Sequence, residues 1–163
     1  MTFTVGAEYY RELDILTSMK GISVITAIAI MADVATIDRF PNQKKLCSYL
    51  RSAPGVDSSN DTIRMKGTNK FSRKLSISLL SQSLNHFRDS NAKLNRWYLK
   101  KTETQGHKVG KIRMGVCRKV FVEIYQMLKK GEYHYWTDEK NHRSKMDAYD
   151  RFLLKEGIEK ILA

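Results

Sequence analysis

Residues 111–130, KIRMGVCRKVFVEIYQMLKK, decide the fold. Val116, Cys117, Val120, Phe121, Ile124, Tyr125 and Leu128 recur at i, i+1, i+4, i+5, i+8, i+9 and i+12. This is one broad apolar face on a 3.6-residue period, so the stretch is predicted to be a long helix. Gly131 is its natural stop. Lys111, Arg113, Arg118, Lys119, Lys129 and Lys130 leave the remaining surface basic. They read as a solvated face, with a subset available to DNA.

A face that broad must be covered by other elements, and the flanking sequence supplies helices. Thr4 to Met19 is predicted helical, with a stripe at Leu13, Ile15 and Leu16. Val24 to Asp33 is apolar nearly all round and should be a central buried helix. Pro41-Asn42 opens a helix ending near Leu50. Arg73 to Phe87 carries Leu75, Leu79, Leu80, Leu84 and Phe87 near helical spacing, and Ala92 to Lys101 carries Leu94, Trp97 and Tyr98. Thr102 to Gly110 reads as a polar loop. Met146 to Leu162 is a final helix with Tyr149, Phe152 and Leu153 on its face and a kink at Gly157. The expected fold class is mainly α: a compact helical domain with a helix-hairpin-helix-like element and a long C-terminal helix. Residues 1–130 are expected to form the core and 131–163 a helical extension.

The 163 residues suit one compact domain, and 42% hydrophobic residues is ordinary for a folded chain. A net charge of +12 and a pI near 9.7 favour polyanions, nucleic acid first. Cys47 and Cys117 fall on predicted apolar faces and read as small buried hydrophobes in a reducing compartment; two cysteines so placed make no zinc motif. No secretory signal precedes the first helix, and Val24 to Ala32 is shorter than the roughly 20 residues of a membrane span. The expected location is cytoplasmic, with no membrane partner.

Two places carry candidate chemistry. In Lys20-Gly21-Ile22-Ser23, Gly21 and Ser23 form a turn at a helix start, where backbone N–H groups and the helix dipole suit a DNA phosphate. An ordinary packing corner fits equally well. Between Leu46 and Lys74, a short helix breaks at Ala53-Pro54-Gly55, a polar loop Asp57-Ser58-Ser59-Asn60-Asp61-Thr62 follows, and then Arg64, Lys66, Lys70, Arg73 and Lys74. Cations hold phosphate oxygens, and a serine can attack phosphorus. Taken alone, loop serines are usually just solvated. Residues 131–145, GEYHYWTDEKNHRSK, set aromatics beside cations. They suit either stacking on unpaired bases or a hydrophobic latch over the long helix, and the latch is preferred. His134, His142 and Asp138 match no metal-ligand spacing.

Three segments, in this order, resemble the C-terminal domain of the insertion sequence 110/116/902 family of transposases. They are ILTSMKGISVITAIAIMADVATIDRFPNQKKLCSYL; the Ala53-Pro54 break with Ser58-Ser59, Lys66 and Asn69-Lys70-Phe71-Ser72-Arg73-Lys74; and HKVGKIRMGVCRKVFVEIYQMLKKGEYHY. The resemblance implies DNA transposition through a serine nucleophile that forms a phosphoserine link to DNA. It implies Ser59 as that serine, with Ser58 the fallback; by the residue reading Arg64, Lys66, Lys70, Arg73 and Lys74 would supply the cations, and Gly21 and Ser23 a further phosphate contact. It further implies a structured guide RNA, a homo-oligomer of the full-length protein, and a separate RuvC-like domain whose acids bind a divalent metal, magnesium expected. No cofactor is expected on this chain, and on its own it is not expected to cut DNA. The sequence departs from the pattern at Asn60-Asp61, where a glycine pair is expected, and at Thr68, where a glycine should precede Asn69. Against this stand a non-catalytic nucleic-acid-binding module, an inactive remnant, and a self-associating helical domain.

Overall fold

The computed structural model describes residues 8–52, 54–59, 62–68 and 74–158. The fold is mainly α. Its axis is α7 (Val109–Lys130), the long helix that the periodicity predicts. Val116, Cys117, Val120, Phe121, Ile124 and Leu128 are buried on it, joined by Ile112 and Met127. Tyr125 is half-buried, and its hydroxyl donates to the Phe40 carbonyl at 3.2 Å. The helix ends at Gly131, whose φ of +68° is the left-handed conformation glycine adopts without strain.

Against this axis pack α1 (Tyr10–Thr17), α3 (Gln43–Tyr49), α4 (Leu75–Gln82), α5 (Leu84–Ser90) and α6 (Ala92–Gln105). Helix α2 (Val24–Val34) lies against α1 and α4. It is buried along most of its length, as an all-round apolar helix must be, though Ile25 is 64% exposed. Helix α8 (Glu139–Lys155) lies on α1 and α2, and its Met146, Tyr149 and Leu153 join the same core cluster as Leu13, Ile30 and Phe121. Cys47 and Cys117 are buried and unpaired, and burial pushes the Cys117 thiol up to about 12.

Several boundaries differ from the sequence reading. Pro41 precedes the helix it was expected to open: Asn42 is the cap, its side chain accepting from Lys45 N at 3.1 Å. The helix expected over 73–87 is two helices divided at Ser83. The Ser83 hydroxyl donates to Leu79 O at 3.3 Å, drawing on a carbonyl of the helix it ends. The expected polar loop 102–110 is mostly helical, because the Thr102 and Thr104 hydroxyls donate to the carbonyls four residues back and remain compatible with a helix. Helix α8 starts earlier than expected, at Glu139, capped by Asp138, whose Oδ1 accepts from Asn141 N at 3.1 Å. Gly157, expected as a kink, has φ +64° and follows the end of the helix.

Two further contacts explain particular residues. Gly115 sits inside α7, where glycine costs about 1 kcal/mol relative to alanine. A Cβ at that position would lie 2.7 Å from Cη2 of Trp97 on α6, so the glycine is the seat of the indole. Gly115→Ala should therefore move Trp97. The helix-propensity gain and the overpacking nearly cancel in stability, to within about 1 kcal/mol. The diagnostic readout is a shift in Trp97 emission; unchanged emission would mean the indole is not seated there.

The segment after Gly131, expected as a hydrophobic latch over the long helix, is instead fastened by polar contacts to α1 and the turn after it, with Tyr133, Tyr135 and Trp136 exposed. Tyr133 OH donates to Asp14 Oδ2 at 2.5 Å, and His134 N donates to Ser18 Oγ at 2.9 Å. His142 Nε2 stands 3.0 Å from Asp14 Oδ1, and Lys145 Nζ donates to Thr17 O at 3.0 Å. The hydrogen bond to Asp14, helped by partial burial, pushes Tyr133 up to about 12. Because the folded pKa is raised above its ordinary 10.0, this contribution is present below pH 10 and is lost as pH rises through about 12. Tyr133 is 54% exposed, so the contribution is under about 1 kcal/mol. Burial also raises Tyr135 and Tyr149, so an ultraviolet titration should show several late-ionising tyrosines, of which Asp14→Asn moves one, Tyr133, back toward the ordinary range.

Candidate nucleic-acid interface

The stretch read as a polar serine loop and a basic run is an antiparallel ribbon. Strand β1 (Pro54–Ser59) pairs with β2 (Thr62–Thr68). The loop reading is thus corrected. Pro, Gly, Asp and Ser are strong turn formers, and their density hid a period-two alternation through G-V-D-S-S and T-I-R-M-K. The register pairs Asp57 with Arg64, Ser58 with Ile63 and Ser59 with Thr62, with an irregularity between Pro54 and Gly55. The last pair encloses only Asn60 and Asp61, which lie outside the described residues.

That register sorts the candidates. Directly paired positions share a face, and faces alternate along each strand. One face carries positions 55, 57, 59, 62, 64 and 66, so Ser59 shares it with Arg64 and Lys66. The other carries positions 56, 58, 63 and 65, so Ser58 falls among Val56, Ile63 and Met65. Lys70 and Arg73 lie outside the described residues. Lys74 is exposed at the start of α4.

Asp33 determines how α4 begins, and the sequence reading passed over it. Lys74 makes no side-chain cap. Instead Asp33, from the far end of α2, accepts from Ser76 N at 3.0 Å and from Ser76 Oγ at 2.5 Å. Both residues are buried, at 6% and 0% exposure. A carboxylate at a helix N-terminus satisfies orphan N–H groups and opposes the dipole. The available signal was Asp33 itself, the one charged residue in VITAIAIMADV. An acid in an apolar helix needs a partner.

The Gly21 turn sits elsewhere. Its φ is +100°, and a Cβ there would come to 3.0 Å of the Phe87 ring, so the glycine lets the turn close onto α5. Ser23 is exposed and caps α2, accepting from Thr26 N at 3.2 Å. One of the N–H groups a phosphate would use is thereby already satisfied. Gly21 and Ser23 stand at one end of α2, and Asp33 with α4's start at the other, roughly 15 Å away along the axis. Lys74 and the Gly21 turn therefore do not converge on one point.

Among the described residues no cluster of His, Cys, Asp or Glu could hold a metal ion, and no helix is long and apolar enough to cross a membrane. Besides His142 and Asp14, a second histidine stands beside a carboxylate, His134 beside Glu123. His134 Nδ1 accepts from Trp136 N at 3.3 Å, which places the ring proton on Nε2, 3.4 Å from Glu123 Oε2. The pair is close but not hydrogen-bonded.

The described residues form a basic, mainly helical domain bearing a two-stranded ribbon. Residues 13–93, about half of the chain, match the family described as Transposase IS116/IS110/IS902. The match runs from α1 into the start of α6 and includes the Gly21 turn, Asp33 and both strands. It supports a role in DNA transposition, with DNA as the partner. The chain matches no curated protein and no solved structure.

Proposed function

We propose that this chain is the serine-bearing DNA domain of a transposase, and that Ser59 is the nucleophile of strand exchange. The observation that carries the reading is the ribbon register, which sets Ser59 on one face with Arg64 and Lys66 inside the matched region. The Ser59 oxygen would form a bond to phosphorus while one P–O ester bond of the DNA breaks. The serine proton goes to a base outside the ribbon, and the departing DNA oxygen is protonated to a hydroxyl. Arg64 and Lys66 would offset the charge that builds on the phosphoryl oxygens. Lys74, Lys70 and Arg73 extend the cation set along the chain, and the turn at half-buried Gly21 and exposed Ser23 would offer a separate phosphate contact. A divalent metal does not fit the described residues of this chain, and no step here uses one. The metal-binding acids belong, in this reading, to a RuvC-like partner domain, with a guide RNA selecting the DNA and more than one copy of the protein in the active complex.

The test is to trap the reaction of the complete recombination complex and locate the protein–DNA adduct by peptide mass spectrometry. An adduct on Ser59 is the expected result. An adduct on Ser58, or on a residue outside the ribbon, would overturn the assignment.

The non-catalytic alternative draws on Asn60-Asp61, which puts an acid next to Ser59. It expects binding that falls steeply with salt and no adduct at all.

A further inference from the structure

We propose that the groove between α6 and α7, lined also by Tyr135, seats an unpaired base of single-stranded nucleic acid. The groove measures about 700 Å³, within the roughly 300–1,000 Å³ of small-ligand sites. Three cations line it, Lys93, Arg118 and Lys119, against one carboxylate, Glu123. That carboxylate already stands 3.4 Å from the buried His134 imidazole. The charge of the groove therefore suits a polyanion. Its floor is aromatic: Trp97 lies seated against Gly115, with Lys119 Nζ 5.0 Å over the ring. Tyr135 is 63% exposed and is packed 4.3 Å from the His134 ring and 4.7 Å from the Trp136 ring. The polar contacts that fasten Tyr133 and His134 to α1 and the turn after it thus hold Tyr135 in the groove's lining.

Chemistry distinguishes the occupant. A duplex hides the faces of its bases and offers phosphates, for which an aromatic floor is of no use. An unpaired nucleotide offers both a π face and a phosphate, and aromatic rings interleaved with lysine and arginine recognise both. Trp97 and Tyr135 lie beyond the matched residues 13–93, so the family match does not account for this surface. The proposal rests on the reading of the chain as a nucleic-acid-handling domain, but not on Ser59.

Trp136→Phe leaves Trp97 as the one tryptophan, since the chain has two. In that background, short oligo(dT) and oligo(rU) should quench Trp97 emission, and a duplex of equal length should not. Tyr135→Ala should weaken oligonucleotide binding about ten-fold or more, and Tyr135→Phe should restore it. Tyr135 is exposed, so a urea titration should show both variants as stable as the parent. Unchanged oligonucleotide affinity in Tyr135→Ala, with duplex binding intact, would overturn the groove while leaving the transposase reading standing. Equal quenching by duplex would overturn it in favour of a phosphate-only surface. A parent protein that bound neither form would sink the nucleic-acid reading itself.

Discussion

Ser59→Ala should abolish strand exchange in the complete recombination complex, by on the order of 10⁶-fold if the serine is the attacking group. Ser58→Ala should stay within about ten-fold of the parent. The contrast follows from register. Positions 59, 64 and 66 share a face of the ribbon, while position 58 lies with Val56, Ile63 and Met65. A serine among apolar positions gains no cation to stabilise the charged transition state, so swapping the two serines is not neutral although they are neighbours. Arg64→Ala should cost about 10²–10³-fold, the usual loss when one preorganised charge stabiliser is removed. Thr62, paired directly with Ser59, is the other hydroxyl on that face and the control for a substitute nucleophile. The measurement is the rate of product formation for each variant at saturating DNA, with the adduct followed in parallel. Activity of Ser59→Ala within ten-fold of the parent would remove Ser59 from the mechanism, and a loss confined to Ser58→Ala would transfer the role to the fallback.

What was legible in the sequence follows the strength of each periodic signal. Helix α7 could be read because seven apolar residues keep the 3.6-residue phase, and α2 because its composition leaves it nowhere to go but the interior. The ribbon could not, since its strand pattern is written in residues that also make turns. Reading Arg64 and Lys66 as members of a basic run obscured that they alternate with Ile63 and Met65. The division at Ser83 and the extension of α6 to Gln105 turn on which carbonyl a hydroxyl finds, and composition does not encode that. The preference for Ser59 over Ser58 rests on resemblance; the register adds only that the two positions alternate in face. Asp33 was visible as an anomaly. Its partner, 43 residues away, was not.

That partner makes Asp33→Ala the most damaging single change expected in the described core outside large-to-small substitutions. The carboxylate holds Ser76 through the backbone N–H at 3.0 Å and the hydroxyl at 2.5 Å, and both residues are buried. Removing it strands a buried N–H at the start of α4, where Lys74 supplies no cap. The hydroxyl keeps the Ala29 carbonyl at 3.1 Å, so it is only partly orphaned. Hydrogen bonds to a charged group contribute about 1.5–3 kcal/mol each, and relief of the carboxylate's own desolvation offsets part of that. The expected loss is about 2–4 kcal/mol, a large share of the roughly 5–15 kcal/mol of a typical domain. Asp33→Asn keeps an acceptor at the same place and should cost less. Urea denaturation measures both. Combining Asp33→Ala with Ser76→Ala in a double-mutant cycle should give a coupling of roughly 0.5–3 kcal/mol, because the two groups share their bonds. A loss below about 0.5 kcal/mol for Asp33→Ala, or simple additivity in the cycle, would mean the cap does not stabilise α4. If the cap holds, strand exchange should also fall in Asp33→Ala at temperatures where the protein remains folded. In sequence the α4 N-terminus is the first described part of the core after the ribbon, so a fall would tie the cap to strand exchange and an unchanged rate would separate them.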